Sequence, residues 1–493
     1  MKGSGRSLAL YGMIHKRLTG ACRRVQLKGI RTIVFVTLAV ASLTPPVVAQ
    51  SSPTPTDAEI RQILADRVDK YRQSVGIVVG VIDPQGRRVI AHGKLAADDS
   101  RPLDGDTVFE IGSITKVFTS LLLTDMVQHH ELELTDPAAK FLPMDVHLPE
   151  RNGERITLQD LAAHTSGLPR VPTNVDPQDP SNPYADYSVD RLYEFLATYE
   201  LPRNIGSRFE YSNLGEALLG HVLAGSAQTD YERLVETRIT MPLGMKSTHI
   251  ALTPEMKQHL AVGHAYGLEP TPNWDLGALA AAAALRSSTN DLLTLLAANL
   301  GYVETPLAPA MASMMKTRRV FDRGEAALGW FIDRRDGKVI VFHDGSTGGD
   351  RSFIGYDAES RVGVVVLSNS GAGADIDDIG RHVLDAKVPL RDAKALEPPK
   401  VRKEIAIDSK FLDRYAGEYQ FQSGQSARVT RNGSHLFLQA AGDVKLAFYP
   451  ESTENFFAKI MDAQITFMTD SEDHVVEFLF HRNGATQHVK RVE

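Results

Sequence analysis

The sequence predicts an α+β body followed by a small antiparallel β-domain, and three observations predict it. Strand-like segments at 76–82 and 362–367 bracket a long, mainly helical region, which suggests that the two ends share one sheet. A charged stretch at 386–408, carrying Pro389, Pro398 and Pro399, interrupts all periodicity and reads as a linker. Beyond Asp408 the pattern changes to eight short alternating segments. At 493 residues the chain exceeds what one core holds.

The first 49 residues stand apart. They contain eight Lys and Arg and no Asp or Glu, then an apolar run from Thr32 to Leu43, then Val47-Val48-Ala49. That order predicts a secretory signal peptide over 1–49, too short in its apolar part for a membrane-spanning helix. Arg23-Arg24 leaves a twin-arginine export route open beside the general one. The expectation is a periplasmic or secreted protein with no stable membrane span after cleavage. Without the signal, 46 basic residues face 61 acidic ones, a net charge of −15. Such a surface excludes nucleic acid as a partner. The single cysteine, Cys22, lies in the signal, so the exported chain has neither disulfide nor thiol nucleophile.

Residues 50–385 form the expected body. Thr56-Asp57 opens a helix with apolar Ile60, Ile63, Leu64 and Val68 at helical spacing. Two strands flank Asp83-Pro84-Gln85-Gly86, a hairpin turn. The β-branched run 362–367 is a buried strand. In the last region, 409–493, segments at 415–421, 427–430, 435–439, 445–449, 455–459, 464–469, 475–480 and 487–492 predict a barrel or a sandwich.

Three segments carry chemistry. Ser113 and Lys116 in Gly112-Ser113-Ile114-Thr115-Lys116 lie one helical turn apart, after a strand and at the start of an apolar helix. A lysine desolvated there can take the serine proton. A second such spacing, Ser313 and Lys316, sits in a Met-rich basic stretch and reads as surface helix. Tyr211-Ser212-Asn213 precedes a helix. A phenol beside an ammonium is expected to have a lowered pKa and to act as a base, while Asn213 serves either as helix cap or as a donor to a substrate carbonyl. His343-Asp344-Gly345-Ser346 follows a strand, and its glycine permits backbone N–H groups to approach an anion.

The order of these segments resembles the serine β-lactamases of class C, the DD-carboxypeptidases and the related esterases. Leu161-Ala162-Ala163-His164-Thr165-Ser166-Gly167-Leu168-Pro169, Pro242-Leu243-Gly244-Met245 and Gly355-Tyr356-Asp357 are similar to recurring segments of that family. The likeness covers roughly 60–385, and the C-terminal part resembles a lipocalin-like module appended to some members. It implies a β-lactamase/transpeptidase-like fold, an antiparallel sheet flanked by helices plus a helical subdomain, followed by a small barrel. It also implies an acyl-enzyme on Ser113, with Lys116 and Tyr211 moving the proton. Asn213, His343, Gly345 and Ser346 would bind substrate, with the N–H groups of Ser113 and Ser346 as oxyanion hole.

Two departures from the family pattern matter. His343-Asp344-Gly345 stands where β-lactamases carry Lys-Thr-Gly, and a part-time cation beside an acid is a poor holder of a carboxylate. Ala281–Ala284 replaces glycines, for which only local packing differences are expected. The substrate is expected to be a small molecule or peptide: a β-lactam, a D-Ala-D-Ala peptide or, alternatively, a short-chain ester. A penicillin-binding sensor without turnover is the reading from another class. No cofactor or metal is expected, since His129-His130 is an adjacent pair with diverging side chains. The sequence leaves the oligomeric state unknown.

Overall fold

The computed structural model describes residues 54–492, except 97, 318, 322–323, 336, 372–375, 393–401, 441–444, 460–462 and 483–484. The expected signal at 1–49 lies outside the described residues, as does the middle of the expected linker.

The body is built on a nine-stranded antiparallel sheet. Its order is Asp99–Pro102, Gly86–Ala96, Gly76–Asp83, Val362–Ser368, Arg351–Asp357, Lys338–Ser346, Trp330–Arg335, Gly324–Ala327 and Arg319–Phe321. The two ends of the body meet at its centre, where Ile77 pairs with Ser368 and Gly80 with Val365. The expected hairpin is present, with Asp83 opposite Gly86.

Both faces of the central strands are covered, which is why they read as unbroken apolar runs. Ile77, Val79, Val81, Val364 and Val366 pack against the helices Asp57–Ala65 and Asp377–Leu384 through Ile60, Leu64, Ile379 and Val383. Val78, Ile82, Val365 and Leu367 face the larger core with Leu292, Leu293 and Leu296. Thr56 starts the first helix with a capping box to Glu59. The helix Thr115–Gln128 runs through the main core and is buried on all sides from Thr115 to Met126.

All eight C-terminal segments are strands, and they close into a barrel rather than a sandwich. Each pairs with the next, and Gly417–Phe421 closes the ring on Ala485–Arg491. Large rings fill the interior: Tyr415, Tyr419, Phe448, Phe456, Phe467 and Phe478 are each at most 2% exposed. Residues 402–408 lie along the barrel, with the Ile405 N–H donating to the Pro450 carbonyl at 3.0 Å. The barrel rests on the body, where Lys445 pairs with Asp176 at 2.7 Å and Gln439 donates to the Thr173 carbonyl at 3.3 Å.

Candidate functional site

Strand Val108–Glu110 delivers the chain into a 3-10 turn, Gly112–Ile114, which runs on into the helix Thr115–Gln128. Ser113 is on that turn and reaches the cleft, whereas its neighbours are buried. Lys116, in the first turn of the helix, is fully buried and donates to Ser113 Oγ at 3.1 Å and to the Ala282 carbonyl at 2.7 Å. Burial pushes its ammonium down to about 7; Glu216 pulls it back up, and Arg170 pushes it further down. Near neutrality the amine is therefore ready to accept a proton.

Tyr211 lines the cleft beside Ser113, and Lys116 Nζ lies 4.8 Å from the centre of its ring. The expected lowering of its phenol pKa is overturned. Burial pushes the phenol above its usual value, and the Ser113 hydroxyl and the Arg170 charge oppose it only in part. Tyr211 is thus a neutral O–H at every ordinary pH. His164 braces it, with ring centroids 4.5 Å apart, and accepts the Ser212 N–H at Nδ1 over 3.2 Å.

The cap of the following helix, Asn213–Ala227, is Ser212 and not Asn213. Ser212 Oγ accepts from the Gly215 N–H at 2.8 Å and donates to the Pro169 carbonyl at 2.6 Å. Asn213 instead lines the cleft, its Oδ1 without a hydrogen-bond partner among the described residues.

His343 and Gly345 lie inside the strand Lys338–Ser346, and Ser346 ends it. The expectation of a part-time cation at His343 is also overturned. Burial, and then the charge of Lys116, pushes its imidazole down to about 3, and Nδ1–H donates to the Asp344 carbonyl at 2.7 Å. Asp344 is exposed and faces the cleft.

Two glycines bring this strand against the Ser113 turn. A Cβ on Gly345 would stand 2.1 Å from the Ile111 carbonyl and 2.3 Å from Ser352 Oγ. Gly112, at φ +49°, would meet the Ser346 nitrogen at 2.6 Å. The Ser346 backbone therefore sits directly beside the Ser113 turn.

The structure thus gathers Ser113, Lys116, Tyr211, Asn213, His343 and Ser346 around one cleft of about 1150 Å³, with Gly345 supporting it from behind. Ser313 lies on the helix Ala308–Met314, which packs against Thr115–Gln128, and it does not line the cleft. The alanine run does more than adjust local packing. Ala282 holds Lys116, the Ala281 carbonyl accepts from Thr119 at 2.7 Å, and Ala282 and Ala283 line the cleft.

Two further residues escaped the sequence reading. Arg170 follows Pro169 directly and lies 5.3 Å from the centre of the Tyr211 ring. Glu216 is wholly buried, both carboxylate oxygens lack hydrogen-bond partners among the described residues, and His164 Nε2 is 3.8 Å from Oε1. Burial pushes its carboxyl up to about 8, opposed by Lys116. A lone acid among Leu214, Ala217, Leu218 and Leu219 was a signal that could have found it.

Residues 60–387 match the Beta-lactamase family, and 401–491 match a domain of unknown function, DUF3471. Penicillin-binding protein 4* of Bacillus subtilis is 26% identical over 88% of this chain and 98% of its own length. The D-alanyl-D-alanine-carboxypeptidase/endopeptidase AmpH of Escherichia coli is 29% identical over 68% of this chain and 91% of its own. Among solved structures, a class C beta lactamase from Rhodobacter sphaeroides superposes with a TM-score of 0.59 at 27% identity, covering 67% of this chain and 99% of that one. The octameric penicillin-binding protein homologue from Pyrococcus abyssi shares the fold, with a TM-score of 0.59 at 22% identity over 88% of this chain and 99% of its own. With two thirds of its length matched by one family, this chain belongs to the beta-lactamase family and is a serine hydrolase of the class C/DD-peptidase type.

Proposed function

We propose that the protein is an exported hydrolase, periplasmic or secreted, that cleaves β-lactam or D-Ala-D-Ala-type amides through an acyl-enzyme on Ser113. The observation that carries this is the 3.1 Å contact from a buried, weakly basic Lys116 amine to Ser113 Oγ. Ser113 Oγ attacks the carbonyl carbon, and its proton passes to Lys116 with the Tyr211 O–H as relay. A phenol this reluctant to ionise passes a proton on rather than keeping one. The N–H groups of Ser113 and Ser346 hold the oxyanion, and Asn213 Oδ1 accepts from the acyl amide. The proton then reaches the leaving nitrogen, and water repeats the path in reverse to free the acyl group.

A second reading is favoured by the His343-Asp344-Gly345 segment. A neutral imidazole and an exposed acid offer nothing to a substrate carboxylate, and an ester needs no such partner. Mass spectrometry after incubation with penicillin, a D-Ala-D-Ala peptide and a p-nitrophenyl ester separates the two. Each acyl group adds its own mass to the peptide holding Ser113. Adducts that never turn over would instead support a sensor, and an adduct on another serine would overturn the assignment.

Gly345→Ala tests the site's backbone. The new methyl collides with the Ile111 carbonyl, which accepts from Ser352 Oγ at 2.8 Å, so the strand must back away from the nucleophile. An ångström of displacement is expected to lower kcat/KM by about 10²-fold. Wild-type kinetics in a folded Gly345→Ala protein would refute the tight apposition.

A further inference from the structure

The cleft does not end at the body. Its far wall is one mouth of the C-terminal barrel, where Phe421, Leu438, Ala440, Leu446 and Phe480 line the same cavity as Ser113. These residues stand at the ends of Gly417–Phe421 and His435–Ala440, near the end of Val475–Arg482, and at the start of Leu446–Pro450. In an antiparallel barrel those positions form a single rim. Phe421, Leu438 and Phe480 belong to the barrel core and show only their edges to the cleft. From the body, Phe209, Phe321 and Phe331 face the same space, the first two stacked at 4.5 Å.

Polar side chains stand beside these rings, Gln425, Arg482 and Gln487 on the barrel rim, while several charges of the body wall are paired within the protein. Asp333 pairs with Arg335 at 3.0 Å and with Arg381 at 2.8 Å. Nor can the barrel swallow a ligand, because its interior is packed with rings, Tyr415 stacking on Phe467 at 4.0 Å. Whatever uses this apolar surface must remain in the cleft, within reach of Ser113. A cavity of about 1150 Å³ also exceeds the roughly 300–1,000 Å³ of an ordinary small-molecule site, more than a terminal dipeptide fills.

We infer that the barrel mouth and the Phe209–Phe321–Phe331 wall form an apolar subsite of the hydrolase, which takes an extended alkyl or aromatic arm of an ester or amide while its carbonyl sits at Ser113. This rests on the proposed hydrolase reading and adds the substrate class: amphiphilic acyl compounds rather than small polar ones. The barrel is then part of the binding site.

The test is a series of p-nitrophenyl esters from acetyl to decanoyl, with a phenylacetyl ester as the aromatic arm, assayed on the full chain. In the wild type, kcat/KM is expected to rise by about tenfold from acetyl to octanoyl. Ala440→Glu, which sets a charge at the half-buried rim, is expected to abolish that rise. Leu446→Ala, which only shortens the wall, is expected to reduce the rise by severalfold, and it serves should the charged variant fail to fold. An unchanged melting temperature and circular-dichroism spectrum report that each variant is folded. A gain confined to the phenylacetyl ester supports an aromatic arm, and one confined to the long chains supports an alkyl arm. A wild type indifferent to chain length, or folded variants that keep the full rise, would overturn the subsite. Failure of every ester, and of penicillin and a D-Ala-D-Ala peptide, to acylate Ser113 would instead overturn the hydrolase reading beneath it.

Discussion

Replacing Lys116 with methionine is expected to slow acylation by on the order of 10⁴-fold while raising the melting temperature. Methionine has nearly the shape of the lysine stem but needs no partner in a fully buried site, so the packing survives and the desolvated amine disappears. Only the base is lost. Ser113→Ala is expected to cost at least as much, and the double variant no more than Ser113→Ala alone, because the two side chains act as one unit. Ser313→Ala is expected to leave turnover untouched. Steady-state p-nitrophenol release and thermal unfolding on the four proteins check all of this. A Lys116→Met protein within tenfold of wild type would end the lysine's role as base.

The second large effect concerns pH. In the wild type kcat/KM is expected to rise with pH through about 7, as Lys116 loses its proton, and this limb is expected to vanish in Lys116→Met. Glu216 is itself protonated below about 8, so Glu216→Gln is expected to leave this limb in place. Stability follows the carboxyl itself. Its folded pKa, pushed up to about 8, stands above the 4.5 of a glutamate carboxyl in the unfolded chain. The favourable contribution is therefore complete below 4.5 and fades as pH climbs through 8. Glu216→Leu is expected to flatten that decline and, near pH 8, to stabilise the fold by about 1–3 kcal/mol, since two orphaned oxygens leave the core. Urea titrations at several pH values measure the second effect and pH–rate profiles the first. A limb that persists in Lys116→Met would mean that another group is the base.

Much of this architecture was legible because it depends on local pattern. The eight barrel strands follow from alternation and turns, and closure into a ring needed only the last step of pairing 485–491 with 417–421. Ser113, Lys116 and Tyr211 were legible from spacing and from the family likeness. What the sequence hid was environment. A tyrosine next to a lysine looks acidified on paper, yet full burial reverses the direction. His343 looks like an intermittent cation until its imidazole is found desolvated beside Lys116. The Ala282 carbonyl could not be foreseen, because any residue supplies one and only the fold aims it.

The pairing of Ile77 with Ser368 at the centre of the sheet sets a condition on synthesis. An emerging chain pairs its first strand at once with the next one across the hairpin, but the strand's other edge finds its partner only after nearly three hundred more residues have left the ribosome, so the body stays open for most of translation. The same delay exposes its valine-rich strands, and chaperone capture during production is the natural place for yield to be lost.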